Sequence, residues 1–142
     1  ADLLEVAQKP FTATHSNARS VAAHKRNLTD DMIREMVRRE CLIGLNYFVA
    51  FLRDDRNVES LDDLYRHVDR FLSLGAEKCL ALGSDFDGGG GIIGCESDND
   101  FIQITVKLIE KGYTEEDIAK IWGGNLMRVL DEVQATASVK TL

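Results

Sequence analysis

The chain has 142 residues, and its 44% hydrophobic content suffices for one domain with an apolar core. A formal net charge of −7 argues against nucleic acid and against an anionic membrane surface as partners. The sequence contains no run of about 18 apolar residues, so it predicts no membrane-spanning helix.

The first part of the chain predicts two strands separated by a polar loop and a helix. Residues 3–8 have the pattern of a helix that ends before Pro10, and residues 11–14 form a short strand-like run. Thr29 is a typical N-cap residue, and acidic side chains follow it in the first turn of the predicted helix. The apolar segment 41–47 predicts the second strand.

The middle of the chain predicts a helix, a third strand and a glycine-rich loop. Ser60 resembles an N-cap, an apolar stripe follows it, and Gly75 ends this helix. Residues 79–82 are a short apolar run that is typical of a buried strand. They lead into residues 83–88, G-S-D-F-D-G, which carry two carboxylates and open a run of four consecutive glycines.

The last part of the chain predicts three helices. The first begins near residue 98 with Ile109 on its inward face, and the second ends near Trp122, which we expect in the core. Two glycines then indicate a helix break, and Asn125 is a good N-cap for the last helix. We expect the end of the chain, residues 135–142, to be frayed.

Strands that alternate with amphipathic helices indicate an α/β fold built from parallel β/α units. Three such units do not make a closed domain, because parallel strands are buried on both faces and need neighbours. We therefore expect residues 1–142 to form a single domain that is part of a larger barrel or sheet. The chain begins abruptly inside a helix, which fits a truncated sequence.

The three cysteines, Cys41, Cys79 and Cys95, form no C-x-x-C pair, and two of them lie in strand-like runs. Their spacing does not suit a zinc–cysteine site. Buried free thiols are typical of proteins in a reducing compartment, so we predict a cytoplasmic location.

Three polar residues lie at or near the C-terminal ends of predicted strands: His15, Asn46 and Asp85. In a barrel these ends converge on one face, which is where active sites occur. A histidine and an aspartate there suit a metal-assisted hydrolase, in which a bound ion acidifies water and a carboxylate handles its proton. A single histidine cannot hold zinc, which needs three or four protein ligands, so a structural role for His15 is the alternative.

Arg26 lies in the polar loop after His15 and is a candidate for substrate binding. Its guanidinium could clamp a substrate carboxylate through two hydrogen bonds, although a solvated basic loop is the alternative. His67 lies in a predicted helix among charged residues, and we expect a structural or exposed role for it.

Residues 85–96 permit a further hypothesis, a calcium-binding loop. Asp85, Asp87 and Glu96 fall at the first, third and last positions of an EF-hand pattern. The fifth position is Gly89, which offers no side-chain ligand, and the segment before the loop resembles a strand where an EF-hand has a helix. This hypothesis is the less favoured one.

Six segments form an ordered pattern along nearly the whole chain. They are residues 14–19 (T-H-S-N-A-R), 24–30 (H-K-R-N-L-T-D), 43–47 (I-G-L-N-Y), 83–88 (G-S-D-F-D-G), 112–118 (G-Y-T-E-E-D-I) and 123–129 (G-G-N-L-M-R-V). This pattern resembles the membrane (renal) dipeptidases and their bacterial relatives, which are zinc peptidases on a TIM-like barrel. The resemblance covers the C-terminal portion only, about three β/α units plus the closing helices of a metal-dependent hydrolase barrel.

The resemblance implies roles for three of the candidate residues. His15 would be a ligand of one ion in a two-zinc centre, and Asp85 would lie beside the metal-bound water as proton acceptor and donor. Arg26 would bind the free carboxylate of the dipeptide. Asn46, near the end of the second predicted strand, is a further candidate for substrate binding. Phe51 stands where some members carry a substrate-contacting tyrosine, so the preferred dipeptide is open.

The family's other metal ligands precede the region that the resemblance covers. We therefore expect the complete enzyme to hydrolyse dipeptides with zinc, and this chain alone to be inactive, because one ligand cannot assemble the site. Its partner would be the missing N-terminal part of the barrel or a second copy that pairs with the exposed strand edges. The alternative is a non-catalytic oligomeric or binding module built from a degenerate half-barrel.

Overall fold

Three parallel strands with helices between them form the centre of the molecule in the computed structural model, which describes residues 2–135. β1 (Thr12–Ala13), β2 (Leu42–Asn46) and β3 (Leu80–Ser84) lie in one sheet in the order β1-β2-β3. β1 pairs in parallel with the start of β2, and β2 pairs in parallel with β3 along its length. The predicted α/β fold with three β/α units is confirmed.

The helices of residues 2–135 include the predicted ones in their predicted order and one, α3, that the sequence analysis does not predict. They are α1 (Asp2–Val6), α2 (Asp30–Arg38), α3 (Val49–Leu52), α4 (Leu61–Ser73), α5 (Phe101–Glu110), α6 (Glu115–Ala119) and α7 (Asn125–Ala135). Short 3₁₀ turns occupy Phe86–Gly88 and Asp98–Asp100. The predicted frayed tail lies outside the described residues, apart from Ala135 itself, which ends α7. No helix in this part of the chain is both long and apolar enough to cross a membrane.

Side-chain caps start α2, at the residue that the sequence predicts, and α6. The Thr29 hydroxyl accepts a hydrogen bond from the N–H of Met32 at the start of α2. At the start of α6, Thr114 and Asp117 cap each other's backbone in a capping box. These contacts satisfy N–H groups that have no partner inside the helix, so they fix where each helix begins.

The sheet separates a large core from a small one, because alternate residues of a strand face opposite sides. Ile43 and Leu45 of β2 pack with helix residues in the large cluster, which contains Leu64, Phe71 and Leu108. On the opposite side, Leu42 and Ala81 pack against Val129 of α7. Helix α7 therefore covers part of the face that looks away from the other helices.

Two glycines on neighbouring strands let the chain after β1 approach this second face. A Cβ built on Gly44 would lie 2.1 Å from the Thr14 carbonyl oxygen, and one built on Gly83 would lie 2.4 Å from the same atom. No side chain fits at either position while the Thr14 carbonyl stays in place. The two glycines thus determine how the backbone just before His15 lies over the sheet.

The predicted helix break before Asn125 is wrong. Lys120–Gly124 form a π-helical turn that joins α6 to α7, and Asn125 itself has helical dihedral angles, so it is not an N-cap. Its carboxamide instead donates to the carbonyls of Glu77 and Leu80, at 3.0 and 2.8 Å. These contacts hold the start of α7 against the beginning of β3, and the helix continues through the two glycines.

Ile109 and Trp122, predicted to be inward-facing and in the core, are exposed by 60% and 44%. Ile109 lies five residues after the buried Ile104, which places it roughly 140° around α5. Trp122 lies in the π-helical turn, and its indole N–H donates to the hydroxyl of Thr105 on α5. Both residues therefore lie on the outer surface of the helical layer.

Candidate active site

His15 follows directly after β1 and is half-buried. Its Nδ1 lies 2.7 Å from the Thr14 hydroxyl, and its Nε2 lies 3.1 Å from a guanidinium nitrogen of Arg26. A guanidinium can only donate hydrogen bonds, so Nε2 accepts. In the neutral ring, Nδ1 then carries the proton and donates to Thr14, and the lone pair of Nε2 accepts the hydrogen bond from Arg26.

Arg26 is exposed and lies over an aromatic ring. Its guanidinium carbon is 5.2 Å from the ring centre of Phe51, within the range of a cation–π interaction. The ring of His24 packs on the same phenyl ring, with centroids 4.4 Å apart. Phe51 is buried, so it gives the loop that carries Arg26 a fixed apolar surface.

Asn46 ends β2 and makes contact with Asp85 at the end of β3. Its Nδ2 donates to Asp85 Oδ2 at 2.9 Å, and its Oδ1 accepts the backbone N–H of Phe48 at 2.6 Å. Because the oxygen is engaged by an N–H group, the amide nitrogen has to face Asp85. The group that faces the carboxylate is therefore a donor, which suits a carboxylate that acts as an acceptor.

Asp85 lies in a backbone conformation that is rare for a residue with a side chain. Ser84 and Asp85 both have positive φ, at 35° and 76°, so the strand ends there instead of continuing to Asp87. Such conformations cost about 1–3 kcal/mol each and occur often at functional sites. A Cβ built on Gly88 would lie 2.2 Å from Asp85 Oδ1, so the carboxylate occupies the space that a larger residue would need.

The four predicted site residues form two contact pairs, His15 with Arg26 and Asn46 with Asp85. Asn17, which is not among the predicted site residues, connects the segment after β1 to the end of β2. Its Nδ2 donates to the Asn46 carbonyl at 2.9 Å, and its Oδ1 accepts the Asn46 N–H at 3.0 Å. Asn17 lies in the segment 14–19 that contributes to the family resemblance, but this segment does not reveal a partner 29 residues away.

His67 is a buried structural residue of α4. Its Nδ1 accepts the N–H of Ala18 at 3.1 Å, and its Nε2 lies 3.0 Å from the Leu52 carbonyl, to which it donates. Burial lowers the pKa of His67 from 6.5 to about 4, because the charged ring loses its hydration. The neutral ring joins the loop after β1 to the end of α3. Of the two roles expected from the sequence, structural or exposed, His67 therefore has the structural one.

The residues of this chain do not by themselves fit a zinc centre. Within residues 2–135, no group of three or more histidine, cysteine or acidic side chains is placed to hold a metal ion. His15 offers one nitrogen, and a zinc site needs three or four protein ligands. The same finding gives the calcium hypothesis no support, and β3 leads into the loop at Asp85 where an EF-hand has a helix.

The whole chain, residues 1–142, matches the family described as membrane dipeptidase (peptidase family M19). The strand-end carboxylate, the neighbouring asparagine and the exposed arginine therefore lie in an α/β chain that matches a peptidase family. The chain belongs to the membrane dipeptidase family.

Curated relatives are longer than this chain. Dipeptidase aclJ of Aspergillus oryzae is 27% identical over 137 residues, which cover 95% of this chain and 32% of that protein. An uncharacterised protein encoded in the pqqA 5′ region of Klebsiella pneumoniae is 33% identical over 141 residues, covering 93% of this chain and 50% of its own length. The chain thus spans about a third to a half of these relatives.

Solved structures show the same relationship. A metallo peptidase from Rhodobacter sphaeroides, liganded with a phosphinate mimic of the dipeptide L-Ala-D-Ala, superposes with a TM-score of 0.87 at 28% identity. That match covers 92% of this chain and 38% of the other. A probable dipeptidase, PvdM from Pseudomonas aeruginosa, also gives 0.87, at 23% identity and with 47% of its chain covered. The fold is therefore part of a TIM-like dipeptidase barrel.

Proposed function

We propose that this chain supplies the substrate-binding and proton-transfer part of a zinc-dependent dipeptidase. The observation that carries the proposal is the carboxylate of Asp85, which a donor on the adjacent strand end holds in one orientation, 2.9 Å from Asn46 Nδ2. Membership of the membrane dipeptidase family and the metallo-dipeptidase likeness support it.

Each site residue has a role that its surroundings allow. Asp85 accepts the proton of the water that attacks the peptide carbonyl and returns it to the leaving amine. Arg26, exposed and supported by Phe51, binds the free carboxylate of the dipeptide through paired hydrogen bonds. Asn46 holds Asp85 and lines the substrate position. His15 Nε2, which accepts from Arg26 in this structure, would bind the metal when Arg26 turns to the substrate carboxylate.

The remaining metal ligands come from outside this chain, either from the rest of a longer barrel or from a partner polypeptide. Zinc at the complete site would acidify the attacking water. Because the Rhodobacter structure holds a mimic of L-Ala-D-Ala, we take this dipeptide as the first substrate to test. The composition favours a cytoplasmic location for the enzyme.

The isolated chain tests the incompleteness of the site. We expect no dipeptide turnover with added zinc, and we expect elemental analysis to find zinc well below one ion per chain. Near-stoichiometric zinc that disappears in His15→Ala would contradict this expectation, and so would turnover that His15→Ala abolishes.

A chimera tests the role of Arg26. In this chimera, residues 1–142 replace the matching segment of the Rhodobacter metallo peptidase, and the rest of that protein is kept. Arg26→Lys loses the paired geometry, and hydrogen bonds to a charged group are worth about 1.5–3 kcal/mol, so KM should rise about 10- to 100-fold. Arg34→Lys on the exposed face of α2 should change KM less than about twofold. Equal KM values for both variants would contradict the assignment.

A further inference from the structure

Beside the end of β2, the side chain of another segment takes the place of a neighbouring strand. β1 pairs with only the first two residues of β2. At Asn46, the carboxamide of Asn17 accepts the backbone N–H at 3.0 Å and donates to the carbonyl at 2.9 Å. One fully buried side chain therefore makes both hydrogen bonds that an adjacent strand would make.

The residue held in this way is the one that orients Asp85. The Asn46 carboxamide is engaged at both ends, by the N–H of Phe48 and by Asp85 Oδ2. The contact with Phe48 is local and fixes the carboxamide relative to the Asn46 backbone, so a shift of that backbone moves the amide nitrogen that holds Asp85. Any displacement of the Asn46 peptide is thus transmitted to the carboxylate.

We infer that Asn17 is a positioning residue for Asp85 and acts through Asn46. The catalytic meaning of this inference rests on the proposed function, but the coupling itself is a property of the fold. Asn17 lies two residues after His15, so the segment that carries the candidate metal ligand also fixes the carboxylate. A misplacement of about 1 Å in an active site can cost about 100-fold in rate, so such a link matters for catalysis.

A purely structural role for Asn17 makes a different prediction, and Asn27 provides the comparison. Asn27 is also buried, with 1% exposure, and its carboxamide makes two donor bonds, to the carbonyls of Ala22 and Phe51, both at 2.9 Å. Asn17 likewise makes two donor bonds, to the Asn46 carbonyl and, at 3.4 Å, to the Phe51 carbonyl. Neither bond of Asn27 reaches Asn46. The two residues are thus matched in type, burial and donor count, and they differ in their link to Asp85.

The test is nuclear magnetic resonance of the 142-residue chain, which needs neither zinc nor substrate. The side-chain NH₂ signal of Asn46 and the exchange of its backbone amide with solvent are followed in the wild type, Asn17→Ser and Asn27→Ser. In Asn17→Ser we expect the NH₂ signal to shift and the Asn46 amide to exchange at least about fivefold faster, the equivalent of one hydrogen bond. In Asn27→Ser both readouts should stay at their wild-type values.

Equal changes in both variants, or no change in Asn17→Ser, would overturn the inference. If Asn17→Ser does not fold, the wild type decides: an Asn46 amide that exchanges as fast as an exposed loop amide would overturn the inference, and a protected amide with contacts to the Asn17 side chain would support it. Asp85→Asn in the chimera separates this inference from the proposed function. Turnover that survives Asp85→Asn refutes the function and leaves the coupling intact.

Discussion

The buried His67 makes the stability of the protein depend on pH in a defined window. Its folded pKa is about 4, against 6.5 for the unperturbed group, because burial removes the hydration of the charged ring. Between these values the unfolded chain binds more protons than the folded chain, so the free energy of unfolding rises with pH. The contribution of the neutral ring is fully present above pH 6.5, declines as the pH falls below it, and is lost below about pH 4.

The size of the effect follows from the two pKa values. A shift of about 2.5 units corresponds to roughly 3 kcal/mol in total, of which about 2 kcal/mol is lost between pH 7 and pH 5. Protonation would also turn Nδ1 into a donor that faces the Ala18 N–H, now 3.1 Å away. The loop that carries His15 and Arg26 would then lose one of its attachments to the rest of the fold.

Urea unfolding followed by circular dichroism at pH 5, 6, 7 and 8 measures this effect. The control is His67→Gln, whose carboxamide can accept from Ala18 and donate to Leu52 without titrating. The free energy of unfolding of the wild type minus that of the variant should fall by about 2 kcal/mol from pH 7 to pH 5. The contributions of other ionisable groups cancel in this difference. If the free energy of unfolding changed equally with pH in both proteins, His67 would not be the cause of the pH dependence.

Two further predictions concern packing at single positions. Gly88→Ala should displace the Asp85 carboxylate, because the added Cβ would lie 2.2 Å from Asp85 Oδ1. This displacement should change the side-chain NH₂ resonance of Asn46. In the control Gly123→Ala the added Cβ meets nothing within 4 Å, so that resonance should stay unchanged. Asn125→Ala removes one buried and one partly buried hydrogen bond, so it should lower the free energy of unfolding by about 1–3 kcal/mol, measured in urea. An equally stable variant would contradict the role of these contacts.

Local patterns predicted most of the fold because local contacts determine most of it. The acidic first turn after Thr29 and the pairing of Thr114 with Asp117 fix helix starts within a few residues. The predicted helix break before Asn125 was wrong, as were the predicted inward positions of Ile109 and Trp122. Two glycines favour a break locally, but Asn125 bonds to carbonyls near β3, more than 40 residues away, and these contacts keep the helix continuous.

The candidate site likewise combines residues that local sequence patterns identify with long-range contacts that they do not. His15, Asn46 and Asp85 could be singled out because polar residues after short apolar strands are conspicuous in a sequence. The link through Asn17 could not, because it joins a side chain to a backbone 29 residues away, and nothing in a local pattern encodes that distance. The left-handed conformation of Asp85 is equally hidden, since aspartate usually avoids it and only the surrounding structure imposes it.

Turnover of L-Ala-D-Ala by the chimera, with Asp85→Asn and Asp87→Asn compared, tests whether Asp85 transfers the proton. Asp87 is an exposed carboxylate two residues away, so it controls for local charge. We expect Asp85→Asn to lower kcat at least about 100-fold, the usual contribution of a general acid–base group, and Asp87→Asn to change it only a few-fold. An Asp85→Asn chimera as active as its Asp87→Asn counterpart would mean that Asp85 does not transfer the proton.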